Sequence, residues 1–244
     1  MSLTWSWPSS FHLASDEVHL WCARLDVAPE TTARLMETLS ADERARSARF
    51  RFSRDQQRFI VARGVLRDLL SRYAGIEPDE IRFVYNEFGK PDLDPELASR
   101  LRFNLTHSGA VALIAVASES EVGVDVEYVR AESDHADIAR RFFSPAEHDA
   151  LNALPSHLYA DAFFSCWTKK EAYLKACGEG LARPLNSFSV LELEGWSLYS
   201  LRPAPGYVGA LAIEGSAWRL RQWQWTMPQI RIDRLSPTVS AEPG

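Results

Sequence analysis

Cysteine is scarce in this chain, and so is any long apolar run. Only Cys22, Cys166 and Cys177 are present, none in a C-x-x-C pair, and their odd count argues against a secreted disulfide framework. Cys166 and Cys177 read instead as small core residues of a long helix. The longest apolar run, Val111–Ala117, falls far short of the ~20 residues that span a bilayer. The leading MSLTWSWPSS lacks the basic and apolar regions of a secretory leader, so a cytoplasmic protein with no membrane partner is expected. Positive charge is not in excess either. With 27 Lys and Arg against 33 Asp and Glu, the net charge of −6 argues against a dedicated nucleic-acid binder. Apolar mass is what the chain has: 46% hydrophobic residues and eight Trp in 244 residues can bury a sizeable core, as one large domain or two half-size ones.

Helix grammar occurs twice. Ser40-Ala-Asp-Glu43 has the S-x-x-E spacing of a capping box, in which hydroxyl and carboxylate satisfy orphan amides at a helix start. Ser53-Arg-Asp-Gln56 repeats the S-x-x-Q form, and Phe59, Ala62, Val65, Leu66, Leu69 and Leu70 follow with helical period until Gly75. About a hundred residues on, Ser144-Pro-Ala-Glu147 is another box with Pro at the first helical position, and a long apolar-periodic helix is predicted to run from it to Gly178. Strand-like runs follow each unit, Ile81–Tyr85 and Ser187–Leu193, while His19–Leu25, Val111–Ala117 and Val122–Glu127 also read as strands. The pattern predicts two similar α+β halves, residues 1–118 and 119–232, with a disordered Pro-containing tail at 233–244.

Two segments carry candidate chemistry. On a strand, Asp125 and Glu127 of GVDVE (123–127) point to the same side, where two carboxylates can share a hard cation. On a helix, Trp167, Glu171 and Lys175 recur at i, i+4 and i+8 along one stripe. Each pattern taken singly is most often structural: a solvated Glu–Lys pair is worth about 0.2–0.5 kcal/mol, and D-x-E is a common polar outer face of a strand. In Thr106-His107-Ser108-Gly109 no G-x-S-x-G elbow surrounds the serine, so it does not read as an activated nucleophile. Lys90-Pro91, after Gly89, reads by itself as a turn entering a strand. The arginine run from Arg44 to Arg67 is too dense for a single role, and most of it reads as a solvated face.

In company these segments say more. FNLTHSG (103–109), GVDVE and W-x-x-K-E-A-x-x-K-x-x-G-x-G-L (167–181) occur in that order, and together with NEFGKPDL upstream they resemble the Sfp-type 4′-phosphopantetheinyl transferases. The resemblance implies an α+β pseudo-dimer with its active site in the cleft between the halves. The Thr106–Gly109 turn and the two strand carboxylates would then approach one cleft, with the Glu171 helix as its far wall. It further implies that Asp125, Glu127 and Glu171 hold Mg²⁺ (or Mn²⁺) and that Thr106 and His107 hold phosphates of coenzyme A. Lys90 and Pro91 would meet its adenosine end, Arg58 and Arg63 its 3′-phosphate end, and Lys175 with Lys170 its phosphates. The chain departs from the family at Glu43, which stands where members often carry a lysine.

The implied reaction is attack by a carrier-protein serine on the phosphorus that bears the pantetheine arm, with adenosine 3′,5′-bisphosphate leaving. The serine proton would pass to Glu171 directly or through a metal-bound water, and Lys175 and His107 would neutralise phosphate charge. Arg140-Arg141-Phe142-Phe143 pairs basic and apolar groups, which suits docking of an acidic apo carrier protein, although the two Phe can equally staple into the core. A monomer is expected. An inactive carrier-binding module and a Mg²⁺-dependent hydrolase of coenzyme A or a related nucleotide are the competing classes.

Overall fold

A computed structural model describes residues 8, 10–97, 99–130, 134–178 and 180–227; the tail expected at 233–244 lies outside the described residues. The apolar runs become β1 (Glu17–Arg24) and β5 (Val111–Ser118), each buried on both faces. They pair antiparallel at the centre of a four-stranded sheet, in the order β4 (Leu101–Ser108), β5, β1, β9 (Arg219–Trp225). Their alternate side chains serve two different cores. Trp21, Ala23, Ile114 and Val116 pack toward α3 (Ser53–Ala74), whereas Leu20, Cys22, Leu113 and Ala115 pack against a second sheet. Two-sided burial removes the usual apolar-polar alternation and leaves a continuous run.

The second sheet has the order β6 (Val122–Tyr128), β8 (Tyr207–Glu214), β7 (Trp196–Leu201). Its far face is covered by α6 (Ser156–Cys177), whose Ala172 and Ala176 pack with Ala210 and Ala212 of β8. Helix, sheet, sheet and helix therefore stack as layers, giving the α+β fold of two similar halves that the resemblance implies.

The likeness of the halves extends to their ionic interiors. A short capped helix, α2 (Ala41–Ser47) in one half and α5 (Pro145–Asn152) in the other, precedes a 22-residue helix that ends on a glycine with φ of 71°. That backbone region suits glycine because no Cβ clashes there. The capping-box carboxylates turn inward as well as back. Glu43 accepts from the guanidinium groups of Arg63 (2.7 Å) and Arg67 (2.6 Å) of α3, and Glu147 takes the ammonium of Lys170 of α6 (2.7 Å).

Four expectations change against this frame. α3 begins at Ser53 itself, with Phe52 as the cap, because the amides of Asp55 and Gln56 bond to the Phe52 carbonyl. The long helix predicted from Ser144 is divided into α5 and α6 at Pro155, where proline has no N–H to donate to a continuing helix. The run 187–193 is not a strand: the Leu185 and Phe188 carbonyls accept from Lys170 Nζ and the Val190 amide donates to Glu147, so side chains take the groups a sheet would use. The second segment also returns to the first. β9 pairs parallel with β1, setting Trp223 and Trp225 against the first core.

Candidate active site

The cleft is stitched where β4 meets β6. Asn104 Oδ1 accepts the Val124 amide (2.9 Å), Thr106 Oγ1 donates to Asp125 Oδ1 (3.2 Å), and Ser108 Oγ donates to Glu127 Oε2 (2.9 Å). β4 continues through Ser108, so Thr106 and His107 lie on a strand and the turn begins only at Gly109. Ser108 orients a carboxylate, in keeping with its failure to read as a nucleophile.

Gly123 decides how close the helix comes. A Cβ at this position would lie 2.0 Å from the Ala172 carbonyl oxygen and 2.4 Å from the Ala176 amide nitrogen. α6 therefore rests directly on β6, and this seating brings Glu171 and Lys175 to Asp125. Lys175 Nζ sits 2.5 Å from Asp125 Oδ1 and 3.2 Å from Thr106 Oγ1.

The three carboxylates share one field. Asp125, only 4% exposed, is held above the ordinary carboxylate range by burial, which Lys175 and Thr106 partly offset. Burial first and the charge of Asp125 second raise Glu127, and the same two causes in the same order raise Glu171. His107 moves the other way. Desolvation, followed by the charges of Lys175 and Arg58, holds its imidazole below the usual value although the residue as a whole is exposed.

Whether these donors fit a hard divalent cation can be tested on the atoms. Asp125 Oδ2 is buried and has no hydrogen-bond partner, an expensive state for a carboxylate oxygen unless a ligand meets it. Three oxygen donors of this kind suit Mg²⁺ chemistry. Among the described residues, however, no three His, Cys, Asp or Glu side chains form a ready-made cage. The donors fit by chemistry, and Lys175 holds one of their oxygens.

The remaining predicted residues are divided. Gly89, Lys90, Pro91, Leu174, Lys175 and Gly180 line one cavity of about 220 Å³. Lys90 is tethered there, donating to Glu121 (2.8 Å) and to the Ala176 carbonyl (2.9 Å). Arg58 makes a two-pronged pair with Asp26 (2.8 and 2.9 Å) while its charge still reaches His107. Arg63 is buried, with Nε committed to Glu43 and Nη2 bonded to the Tyr85 hydroxyl, so much of its guanidinium serves the interior. Lys170 does not face the phosphates: it is 0% exposed, and its ammonium is taken up by Glu147, Leu185 and Phe188. Phe143, 3% exposed, stacks on Phe163 in the core and leaves the surface role to Arg140, Arg141 and half-buried Phe142.

Sequence reasoning missed an aromatic cavity of about 400 Å³ beside Glu127, walled by Tyr128, His135, Phe163, Phe164 and Trp167. No spacing announces it, because its walls come from a strand end and two helices; only Trp167, one turn before Glu171, marked the face. Among the described residues no helix is long and apolar enough to cross a membrane.

In this cleft the charge of Asp125 adds to burial in raising Glu127 and Glu171, while Lys175 is bonded to Asp125 and its charge reaches His107. Sequence comparison gives the family. A model described as 4′-phosphopantetheinyl transferase, N-terminal, matches residues 27–121, and that of the 4′-phosphopantetheinyl transferase superfamily matches residues 121–226. The chain is 41% identical to the 4′-phosphopantetheinyl transferase HetI of Nostoc sp. over 89% of its own length and 96% of that protein's. It is 34% identical to Sfp of Bacillus subtilis, covering 67% of this chain and 71% of Sfp, and 31% identical to AcpT of Escherichia coli, covering 62% and 77%. The chain belongs to the 4′-phosphopantetheinyl transferase superfamily and is an enzyme of that class.

Proposed function

We propose that this enzyme transfers the 4′-phosphopantetheine arm of coenzyme A to a serine hydroxyl of an apo carrier protein, with Mg²⁺ as cofactor, and releases adenosine 3′,5′-bisphosphate. The observation that supports the reading is the shared field of Asp125, Glu127 and Glu171, with Lys175 bonded to Asp125 and its charge reaching His107. Bound there, a divalent cation would neutralise oxygens of the pyrophosphate. Asp125, Glu127 and Glu171 would hold it. Lys175 and His107 bind and orient the phosphates, and the tethered loop of Lys90 and Pro91 walls the adjoining cavity for the nucleoside end. Glu171, raised by its surroundings, takes the proton of the incoming serine. Phosphoryl transfer asks for little more than this positioning and charge neutralisation. The carrier docks on the outer face of Arg140, Arg141 and Phe142.

Mass spectrometry of an apo carrier protein incubated with this enzyme, coenzyme A and Mg²⁺ tests the reading. A gain of the phosphopantetheine mass on the carrier serine is expected. Consumption of coenzyme A with an unmodified carrier would show a hydrolase, and intact coenzyme A with a bound carrier would show a binding module.

A further inference from the structure

The positive charge on Asp125 is the chain's own. Lys175 Nζ lies 2.5 Å from Asp125 Oδ1 and also takes up Thr106 Oγ1, while the other Asp125 oxygen is buried with no partner. Asp125 is thus half satisfied: one oxygen carries an ammonium, and the other is available to a ligand. The carboxylate that binds Lys175 is also one that a divalent cation would use, so ammonium and cation oppose each other at Asp125 through Coulomb repulsion. Lys175 is partly exposed and lines the cavity with Gly89, Lys90 and Pro91, so its long side chain has an alternative anion to reach whenever phosphates lie there.

We infer that Lys175 is a placeholder cation: it suppresses divalent-cation binding to the carboxylate cleft until a phosphate-bearing substrate draws its ammonium off Asp125. This rests on the transferase reading of the site and adds a rule of assembly to it. Cation and coenzyme A bind synergistically, because each removes a cost that the other would face alone. Such linkage is reciprocal, with couplings of about 5–150-fold common between sites.

Mn²⁺ binding to the full chain, followed by calorimetry and by loss of the free-ion paramagnetic resonance signal, provides a readout other than activity. Wild type is expected to bind Mn²⁺ weakly alone and about tenfold or more tightly with coenzyme A present. Lys175→Gln should bind Mn²⁺ more tightly than wild type in the absence of coenzyme A and gain less from its addition. Lys175→Arg, which keeps the charge, should resemble wild type, and Asp125→Asn should weaken binding in every background. Circular dichroism confirms that the variants are folded. Equal or weaker Mn²⁺ affinity in Lys175→Gln without coenzyme A would overturn the placeholder role while leaving the metal reading intact. Failure of wild type and variant alike to bind Mn²⁺, even with coenzyme A, would overturn both.

Discussion

Lys170 Nζ and Glu147 Oε2 lie 2.7 Å apart with neither side chain reached by solvent. Every strong group of the pair is used: the lysine also donates to two carbonyls, and the glutamate also accepts the Ser144 and Val190 amides. Removing one partner would strand a buried charge, so Lys170→Met should cost about 3–5 kcal/mol. Lys175→Gln should cost less than Lys170→Met, because its ammonium is partly exposed at the cleft edge and the glutamine amide can still donate to Asp125. Urea midpoints of the two variants check this, and similar midpoints would place Lys170 outside the structural frame.

Stability and function oppose each other at Glu127. Burial, and then the charge of Asp125, raise its carboxyl in the fold, so the protonated form is favoured there. The resulting penalty is absent below the unfolded value of about 4.3 and grows as pH rises through the higher folded value. Glu127→Gln removes it and can still accept the Ser108 hydroxyl. It should therefore raise stability at pH 7 by roughly 0.5–1 kcal/mol and abolish turnover. The melting-temperature gain should shrink as pH is lowered toward 4; a gain independent of pH would show that the glutamate charge is not its source.

Glu171 and Lys175, one turn apart on α6, should separate kinetically. A residue that acts as ligand and base is needed at every pH, so Glu171→Gln should lose turnover across the accessible range. Lys175→Ala should act mainly through the KM for coenzyme A, together with a smaller loss in kcat from the leaving group. Steady-state kinetics of both variants decide the matter. Equal, mild losses would reduce the pair to a surface ion pair.

The site was more legible than its supports, for geometric reasons. Asp125 with Glu127, and Glu171 with Lys175, follow the strand and helix periods, so a face can be read from spacing alone. Lys170 is adjacent to Glu171 in sequence but roughly 100° away around the helix, and only the packed structure shows that this direction leads to Glu147. The tie of Arg63 to the interior is hidden for the same reason: its partner Glu43 lies on another helix, twenty residues earlier. Gly123 carries no chemistry of its own, yet without it α6 could not rest on β6. The segment 187–193 reads as a strand from its short apolar run, but side-chain capture of its backbone is a long-range event that no local pattern encodes.

The burial of Phe143 leaves three residues, Arg140, Arg141 and Phe142, for the proposed carrier surface. Arg140 is 69% exposed and pairs with Asp137 across one turn of its own helix, a contact that is weak in water. Arg141 lies over the ring of Phe142, which is itself half-buried against Trp167. A basic rim beside a partly covered aromatic suits an acidic helical partner, and rim charges act mainly on encounter. Arg140→Glu combined with Arg141→Glu should therefore raise the KM for the carrier several-fold and change its salt dependence, because the lost attraction is the screened part. The KM for coenzyme A should stay nearly constant, since neither arginine lines the cavity of Lys90 and Lys175. Initial rates with each substrate varied in turn, at low and high salt, provide the check. If both KM values rose together, or neither moved, the carrier would have to dock elsewhere, most plausibly on the arginines between Arg44 and Arg54, where Phe50 and Phe52 also stand exposed.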